Sequence, residues 1–182
     1  MFQISFVTGS ACALILWVLY RAIFCTIRKS FHWKREALEL LMLVNLMVIY
    51  RMTFHPFGKV DGQVQPLIFD AATAFPFRMN LIPFINLTDY DKKSEMLLNI
   101  IGNSTMFIPT GIIVPLLYPK LKSFKKTVLT GFLISLTIEI IQLPFAVRCS
   151  DVDDLILNTA GCIAGYGIYA LCRKRERNHV SV

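Results

Sequence analysis

The sequence has few charged residues. Only 17% of its side chains are Asp, Glu, Lys or Arg, whereas 55% are hydrophobic. With a mean hydropathy of +0.56, this composition is too apolar for an ordinary soluble domain. It indicates instead a small integral membrane protein.

The sequence also lacks the short motifs that mark common catalytic and metal sites. It contains no HExxH, no P-loop, no GxSxG and no Cys/His cluster. Its five cysteines show neither a pairing pattern nor a metal-binding spacing. We therefore expect no metal and no cofactor. No internal repeat is visible, which argues against the common plan of secondary transporters.

Long hydrophobic runs are what the sequence does have. Five of them approach the roughly 20 residues that a helix needs to cross a bilayer. We predict an all-α membrane protein, a single domain over residues 1–182, with five transmembrane helices at 3–27, 37–54, 97–118, 127–147 and 155–172.

The basic residues predict how this bundle is oriented. Most of the 19 Lys and Arg residues follow the first run, separate the third from the fourth, or follow the fifth. In a five-helix protein these flanks share one side, which the positive-inside rule makes cytoplasmic. The N-terminus is then outside and the C-terminus inside. The net charge of +7 is explained by this topology, so nucleic acid is not an expected partner.

The longest connection, residues 55–96, is predicted to be extracytoplasmic. Its part from 66 to 84 is apolar and should lie at the membrane interface or re-enter between helices. In the helices, Pro109 and Pro115 should disturb the third span, and Gly161 and Gly165 form a small-residue face for close helix packing. Helix one suggests no chemistry, and Arg21 is expected to snorkel to the inner headgroups.

Glu139 is the most informative single residue. It carries the only charge in the run 127–147, and the amide of Gln142 lies on nearly the same helix face. A lone carboxylate in hydrocarbon costs about 3 kcal/mol or more unless it is protonated, paired or close to water. We therefore expect it to contact Arg51, Arg148 or the asparagines of helix three.

Other polar residues should share the depth of Glu139. They map to the outer ends or outer halves of helices two to five: Arg51, Asn99, Asn103, Gln142, Arg148, Asp151, Asp154 and Asn158. Asp151, Asp154 and Asn158 are spaced i, i+3 and i+7, which puts them on one side of a helix. Asp153 faces elsewhere and is expected to cap the last helix.

Several short segments together are similar to a known family. They are residues 80–84 (NLIPF), 99–103 (NIIGN), 107–111 (FIPTG), 119–121 (PKL), Glu139-x-x-Gln142 and 148–161 (RCSDVDDLILNTAG). In this order and spacing they resemble the VanZ-like family, over about residues 51–169. Val147 and Cys149 depart from the small or polar residues expected in the arginine turn.

The resemblance implies a multi-pass protein of the bacterial plasma membrane. It implies a role in the cell envelope and in antibiotic resistance, namely lowered susceptibility to teicoplanin, a glycopeptide with a lipid tail. The implied partners are a membrane lipid or lipid-linked cell-wall precursor, or the lipoglycopeptide antibiotic itself.

Two principal hypotheses follow for the polar residues. In the first, they form an outer cavity that binds or remodels a lipid-linked ligand. Arg51 and Arg148 would hold phosphate or carboxylate, and the remaining contacts would come from Asn80, Asn99, Asn103, Gln142, Asp151 and Asn158. In the second, the protein is an intramembrane enzyme acting on an envelope lipid or wall precursor. Glu139 would be its general acid or base, and Asp154 a second carboxylate.

Two further alternatives remain open. The chain could be a small transporter or channel component. The polar residues could also be only a structural network that holds the helices together.

Overall fold

The structure is a computed structural model that describes residues 2–28, 31–55, 59–60, 63–64, 66–69, 75–85, 93–145 and 148–180. It is mostly helical. The helices are α1 (Phe6–Arg28), α2 (Trp33–Phe54), α3 (Lys93–Met106), α4 (Ile108–Leu117), α5 (Phe124–Gln142) and α6 (Val152–Val180), with a short 3-10 helix at Pro119–Leu121.

The chain is mostly helical, as predicted, although short strands also occur. They are β1 (Phe2–Ile4), β2 (Lys59–Val60), β3 (Gln63–Val64), β4 (Leu67–Phe69), β5 (Met79–Asn80) and β6 (Ser150–Asp151). Strand β1 pairs antiparallel with β4, β2 pairs antiparallel with β3, and β5 pairs parallel with β6. Outside the helices, such pairing satisfies backbone N–H and C=O groups that no helix supplies with partners.

Each of the five predicted hydrophobic runs is helical in the structure, but the prediction that all five cross the membrane is not confirmed. Within the described residues, four segments are long and apolar enough to cross a bilayer: Phe6–Ile27, Trp33–Phe54, Met96–Leu117 and Val152–Glu176. Helix α5 is not among them, because its 19 residues include Lys125, Lys126 and Glu139. It also ends at Gln142, short of the predicted boundary at 147.

The predicted third span is two helices that meet at Phe107. Pro109 explains the break, because proline has no N–H to donate to the carbonyl four residues earlier and its ring clashes with that carbonyl. Proline is tolerated in the first turn of a helix, which is where Pro109 lies in α4. Pro115 lies inside α4 without ending it.

The chain forms two compact units. Unit 1 comprises Met1–Arg78 and Gln142–Cys149, and unit 2 comprises Met79–Ile141 and Ser150–Val182. Unit 1 contains α1, α2 and the strands β1 to β4. Unit 2 contains β5, β6 and the helices α3 to α6 except for the last residue of α5.

Close helix packing organises unit 2, and the predicted role of Gly161 and Gly165 is confirmed. A Cβ at Gly161 would lie 1.8 Å from the carbonyl oxygen of Ser104, and one at Gly165 would lie 2.1 Å from that of Ile108. The absence of these side chains lets α6 touch the backbones of α3 and α4. The fold of unit 2 therefore depends on both glycines.

In unit 1, the prediction for Arg21 is wrong. Its residue is only 5% exposed. Its Nε donates to Glu36 Oε2 at 2.9 Å, its Nη2 donates to the other oxygen of the same carboxylate, and its Nη1 lies 3.6 Å from Glu39 Oε1. A bidentate arginine–carboxylate pair keeps both charges between α1 and α2, so the guanidinium has no need to snorkel.

The apolar part of the predicted extracytoplasmic loop is described at residues 66–69 and 75–85. Large side chains there are exposed, among them Phe75 (71%), Leu81 (70%) and Ile82 (60%). An interfacial position for this segment stays a prediction. The loop residues 56–58, 61–62, 65, 70–74 and 86–92 lie outside the described part of the chain.

Candidate functional site

Strands β5 and β6 bring two distant parts of unit 2 together. Their parallel pairing sets Asn80 beside Asp151. The side-chain amide of Asn80 donates to Asp151 Oδ1 at 3.1 Å, and its carbonyl oxygen accepts the N–H of Ile82 at 3.1 Å. Both polar atoms of the Asn80 side chain therefore have a partner, and its NH₂ group donates to a carboxylate.

Asp151 also begins the last helix. Its Oδ1 accepts the backbone N–H of Asp153 at 2.9 Å, which satisfies one of the free N–H groups at the start of α6. The expectation that Asp153 is the cap is therefore wrong, because Asp151 precedes the helix and reaches its second residue. Negative charge at a helix N-terminus is also favoured by the helix dipole.

Asp153 instead holds the loop that ends β5. Its Oδ1 accepts a hydrogen bond from the backbone N–H of Phe84 at 2.8 Å. Phe84 has a φ of 64°, which residues other than glycine rarely adopt. The Oδ2 of Asp153 is buried and has no hydrogen-bond partner among the described residues. The hydrogen bond from Phe84 helps to fix this strained turn.

Glu139 is buried in unit 2, with only 5% of the residue exposed. Its Oε2 accepts the hydroxyl of Ser150 at 3.0 Å and the backbone N–H of Asp151 at 2.9 Å. The expected contact with the helix-three asparagines is wrong, because neither donor is an asparagine and the amide of Asn103 binds Asp154. A hydroxyl and a backbone N–H of β6 stabilise the carboxylate in their place.

The asparagines of α3 meet the first turn of α6. The amide of Asn103 donates to Asp154 Oδ1, and it lies 3.3 Å from Asn99 Oδ1. The spacing of four residues predicted the shared face of the two asparagines, and Asp154 lies on the side of α6 that Asn103 contacts. The enzyme hypothesis names two carboxylates, Glu139 and Asp154, and in the structure each accepts a hydrogen bond from a different donor.

Asn158 lies deeper in unit 2. It is fully buried and donates to the hydroxyl of Ser135 on α5 at 2.9 Å. Its carbonyl oxygen has no partner among the described residues. Because it joins α6 to α5 inside the unit, we interpret Asn158 as a packing residue more than as a ligand contact.

We call the residues Asn80, Asn103, Glu139, Asp151 and Asp154 the carboxylate–amide cluster. Asp151 links two members of the cluster, because its side chain accepts a hydrogen bond from Asn80 and its backbone N–H donates to Glu139. Asn103 and Asp154 form a second hydrogen-bonded pair, with Asp154 three residues after Asp151. Carboxylate oxygens accept hydrogen bonds, and amides both donate and accept them. Among the described residues, no three His, Cys, Asp or Glu side chains are arranged to hold a metal ion.

The other predicted ligand contacts belong to unit 1, where they surround the end of α2. Arg51 Nη1 donates to the carbonyl oxygen of His55 at 2.6 Å, Gln142 Nε2 to that of Thr53 at 2.6 Å, and Arg148 Nε to that of Phe54 at 3.3 Å. The last carbonyls of a helix have no partner within the helix, and cationic groups are favoured there. These three side chains therefore have a structural role in unit 1.

Sequence reasoning did not find the partners of these residues. Ser150 is not among the predicted site residues, because its contact with Glu139 depends on how the chain returns after α5. Ser135 and the carbonyl groups of residues 53–55 carry no sequence signal, because serine is common in membrane helices and every residue has a carbonyl group. Only the folded chain identifies them.

The matches to known proteins cover the region that contains this cluster. The VanZ/LLP1 family matches residues 40–173, from within α2 to within α6. A curated relative, protein VanZ of Enterococcus faecium, is 33% identical over 96 residues, which is 53% of this chain and 55% of that protein. The chain thus spans about half the length of this relative. No solved structure matches the chain.

The family match extends over well more than half of the chain, and it includes every residue of the carboxylate–amide cluster. The segments that resemble the family lie in or next to β5, α3, α4, the 3-10 helix, α5, β6 and α6. With four segments long and apolar enough to span a bilayer, the chain is a membrane protein, and it belongs to the VanZ/LLP1 family.

Proposed function

We propose that this protein lowers the susceptibility of a bacterium to lipid-tailed glycopeptide antibiotics of the teicoplanin type. It would act as a multi-pass protein of the plasma membrane, by binding or remodelling a lipid-linked ligand of the outer leaflet. Membership of the VanZ/LLP1 family supports the resistance role. The carboxylate–amide cluster supports ligand binding, because five polar side chains from five elements meet there in a protein with few charges.

The chemistry of the cluster suggests which groups of a ligand it would contact. The carboxylates of Glu139, Asp151 and Asp154 suit hydroxyl, amide or ammonium donors, such as those of a sugar or peptide headgroup. In unit 1, Arg51 and Arg148 would suit a phosphate or carboxylate. The apolar side chains exposed in residues 75–85 would make hydrophobic contacts with a lipid chain.

Expression of the chain in a susceptible Gram-positive host tests this proposal. The minimum inhibitory concentration of teicoplanin should rise above that of cells with an empty vector. The minimum inhibitory concentration of a glycopeptide without a lipid tail should change much less, because the proposed ligand site lies at the membrane. Equal protection against both drugs, or against neither, would contradict the proposal.

The proposed orientation has its own test, since the cluster must face the outside. Ser94 and Ser123 are both exposed and lie on predicted opposite sides of the membrane. In a background whose exposed cysteines are replaced by serine, an impermeant maleimide should label Ser94→Cys in intact cells. Ser123→Cys should react only after the cells are opened. The reverse pattern would place the cluster on the cytoplasmic side.

The contact between Glu139 and Ser150 favours a second candidate function. An intramembrane enzyme needs a nucleophile and a base within hydrogen-bond reach of each other. The Ser150 hydroxyl lies 3.0 Å from Glu139 Oε2. Glu139 would accept the hydroxyl proton as the serine oxygen bonds to the acyl carbon or phosphorus of an envelope lipid ester. The bond to the lipid alcohol would then break, the leaving alcohol oxygen would take the proton from Glu139, and water would release the transferred group from Ser150.

Replacing Ser150 by alanine separates the two candidates. If Ser150 is a nucleophile, protection should disappear, with turnover falling by about 10²-fold or more. If the cluster only binds ligand, Ser150→Ala removes one of the two donors to Glu139 and protection should persist in part. Turnover of radiolabelled envelope lipid by purified protein, beside drug susceptibility, gives the answer.

A further inference from the structure

Helices α1 and α2 of unit 1 enclose a groove that neither candidate function uses. Its volume is about 890 Å³, and its walls are almost wholly apolar. Phe6, Ala11 and Leu14 line it from α1, while Leu43 and Val44 are among the residues that line it from α2. A volume of this size lies within the range of about 300–1,000 Å³ found for small-molecule sites.

The length of the groove matches one leaflet of a bilayer. It extends from Phe6 to Leu14 on α1 and from Leu40 to Met52 on α2. With a rise of about 1.5 Å per residue, those walls are about 12 and 18 Å long. The hydrocarbon core is about 30 Å thick, so one leaflet is about 15 Å deep. The groove starts near the ends of both helices and reaches about halfway across.

The groove has polar groups near its end. Arg51 lines it next to Phe6, with its guanidinium carbon 5.6 Å from the centre of the Phe6 ring. Its Nη1 donates to the carbonyl oxygen of His55, which holds the guanidinium at the end of α2. One turn inward, Ser10 also lines the groove, and its buried hydroxyl has no hydrogen-bond partner among the described residues.

We propose that this groove binds one acyl chain of an anionic phospholipid, with the headgroup at Arg51. The apolar walls accommodate the chain, the guanidinium attracts the phosphate, and the Ser10 hydroxyl can donate to the ester oxygen at the start of the chain. The inference shares only Arg51 with the proposed function and goes beyond it, because it requires neither the carboxylate–amide cluster nor any effect on a drug. It gives α1, all of which lies outside the family match, a binding role.

Photolabelling of the purified full-length chain tests the groove. The probes are phosphatidylglycerol and phosphatidylcholine that carry the same diazirine acyl chain, in nanodiscs of unlabelled phosphatidylcholine. Phosphatidylglycerol should label the groove residues Ser10, Ala11, Leu14, Leu43 and Val44 more strongly than the exposed α1 residues Leu16, Leu19 and Ile23. Unlabelled phosphatidylglycerol should compete. Even labelling around α1, or loss of groove labelling as the number of chains per nanodisc rises, would overturn the proposal.

Matched variants then separate the groove from the rest of the helix surface. Ala11→Phe should reduce groove labelling about tenfold, the effect expected when two methylene groups of a chain are excluded. Cys12→Phe is the control, because Cys12 is an exposed neighbour outside the groove. Val44→Phe and its control Leu41→Phe repeat the comparison on α2, in case the α1 variant melts early. Unchanged labelling in both groove variants would overturn the proposal.

The headgroup is tested by Arg51→Gln. This variant keeps a hydrogen-bond donor for the His55 carbonyl but removes the charge. It should label equally with phosphatidylglycerol and phosphatidylcholine, while total labelling by phosphatidylcholine stays as in the parent. If the variant still prefers phosphatidylglycerol, Arg51 does not bind the anionic headgroup, and the proposal fails.

Discussion

Replacing Glu139 by glutamine should return teicoplanin susceptibility to that of cells with an empty vector, while the protein still folds. The glutamine oxygen can accept the same two hydrogen bonds, from the Ser150 hydroxyl and the Asp151 N–H, that Glu139 Oε2 accepts. What the variant loses is the negative charge. A role in ligand binding or proton transfer depends on that charge, whereas the local structure depends mainly on the acceptor.

Two variants on the same helix make this result interpretable. Glu139→Leu removes the acceptor as well, and should cost about 1–3 kcal/mol of stability for each buried donor left without a partner. Ile140→Ala alters an exposed neighbour and should leave drug susceptibility unchanged. Susceptibility and the melting temperature in detergent are measured for all three. If Glu139→Gln protects as well as the parent, the carboxylate is a structural group.

Replacing Gly161 or Gly165 by alanine should destabilise the protein by about 1–3 kcal/mol or more. The new methyl groups would lie 1.8 Å from the Ser104 carbonyl oxygen and 2.1 Å from that of Ile108. Backbone atoms cannot rotate away as side chains can, so α6 would have to separate from α3 and α4. The melting temperature in detergent should fall, and the amount of protein in the membrane should fall with it.

Gly167 on the same helix is the matched control. A Cβ at this position has no atom within 4 Å. Alanine is favoured over glycine in a helix by about 1 kcal/mol, so Gly167→Ala should be neutral or slightly stabilising. Equal melting temperatures for Gly161→Ala and Gly167→Ala would mean that the close approach of α6 does not support the fold.

Some contacts of the cluster could be anticipated from local spacing. Asn99 and Asn103 share a face because they are four residues apart in a helix, and Asp154 lies on the side of α6 that the i, i+3 spacing predicts. The helix break at Phe107 follows from Pro109, and the close approach of α6 follows from Gly161 and Gly165. Each of these rests on the geometry of a single helix, which the order of residues determines.

Other contacts could not be anticipated, because they join residues far apart in the chain. Asn80 and Asp151 are separated by 71 positions, and Gln142 and Thr53 by 89. No periodicity connects such pairs. The mistaken roles of Asp153 and Arg21 have the same origin, since each side chain found a partner in another segment: Phe84 in one case and Glu36 in the other.

The amino-acid sequence by itself determined the membrane class, the positions of the apolar helices and the family, because hydrophobic runs, helical spacing and short motifs are properties of neighbouring residues. The tertiary structure decided which donors hold Glu139, which residue begins α6, and that Arg51, Gln142 and Arg148 each donate to the end of α2. A buried polar group must find a partner wherever the folded chain supplies one. That choice depends on the path of the whole chain and not on local sequence.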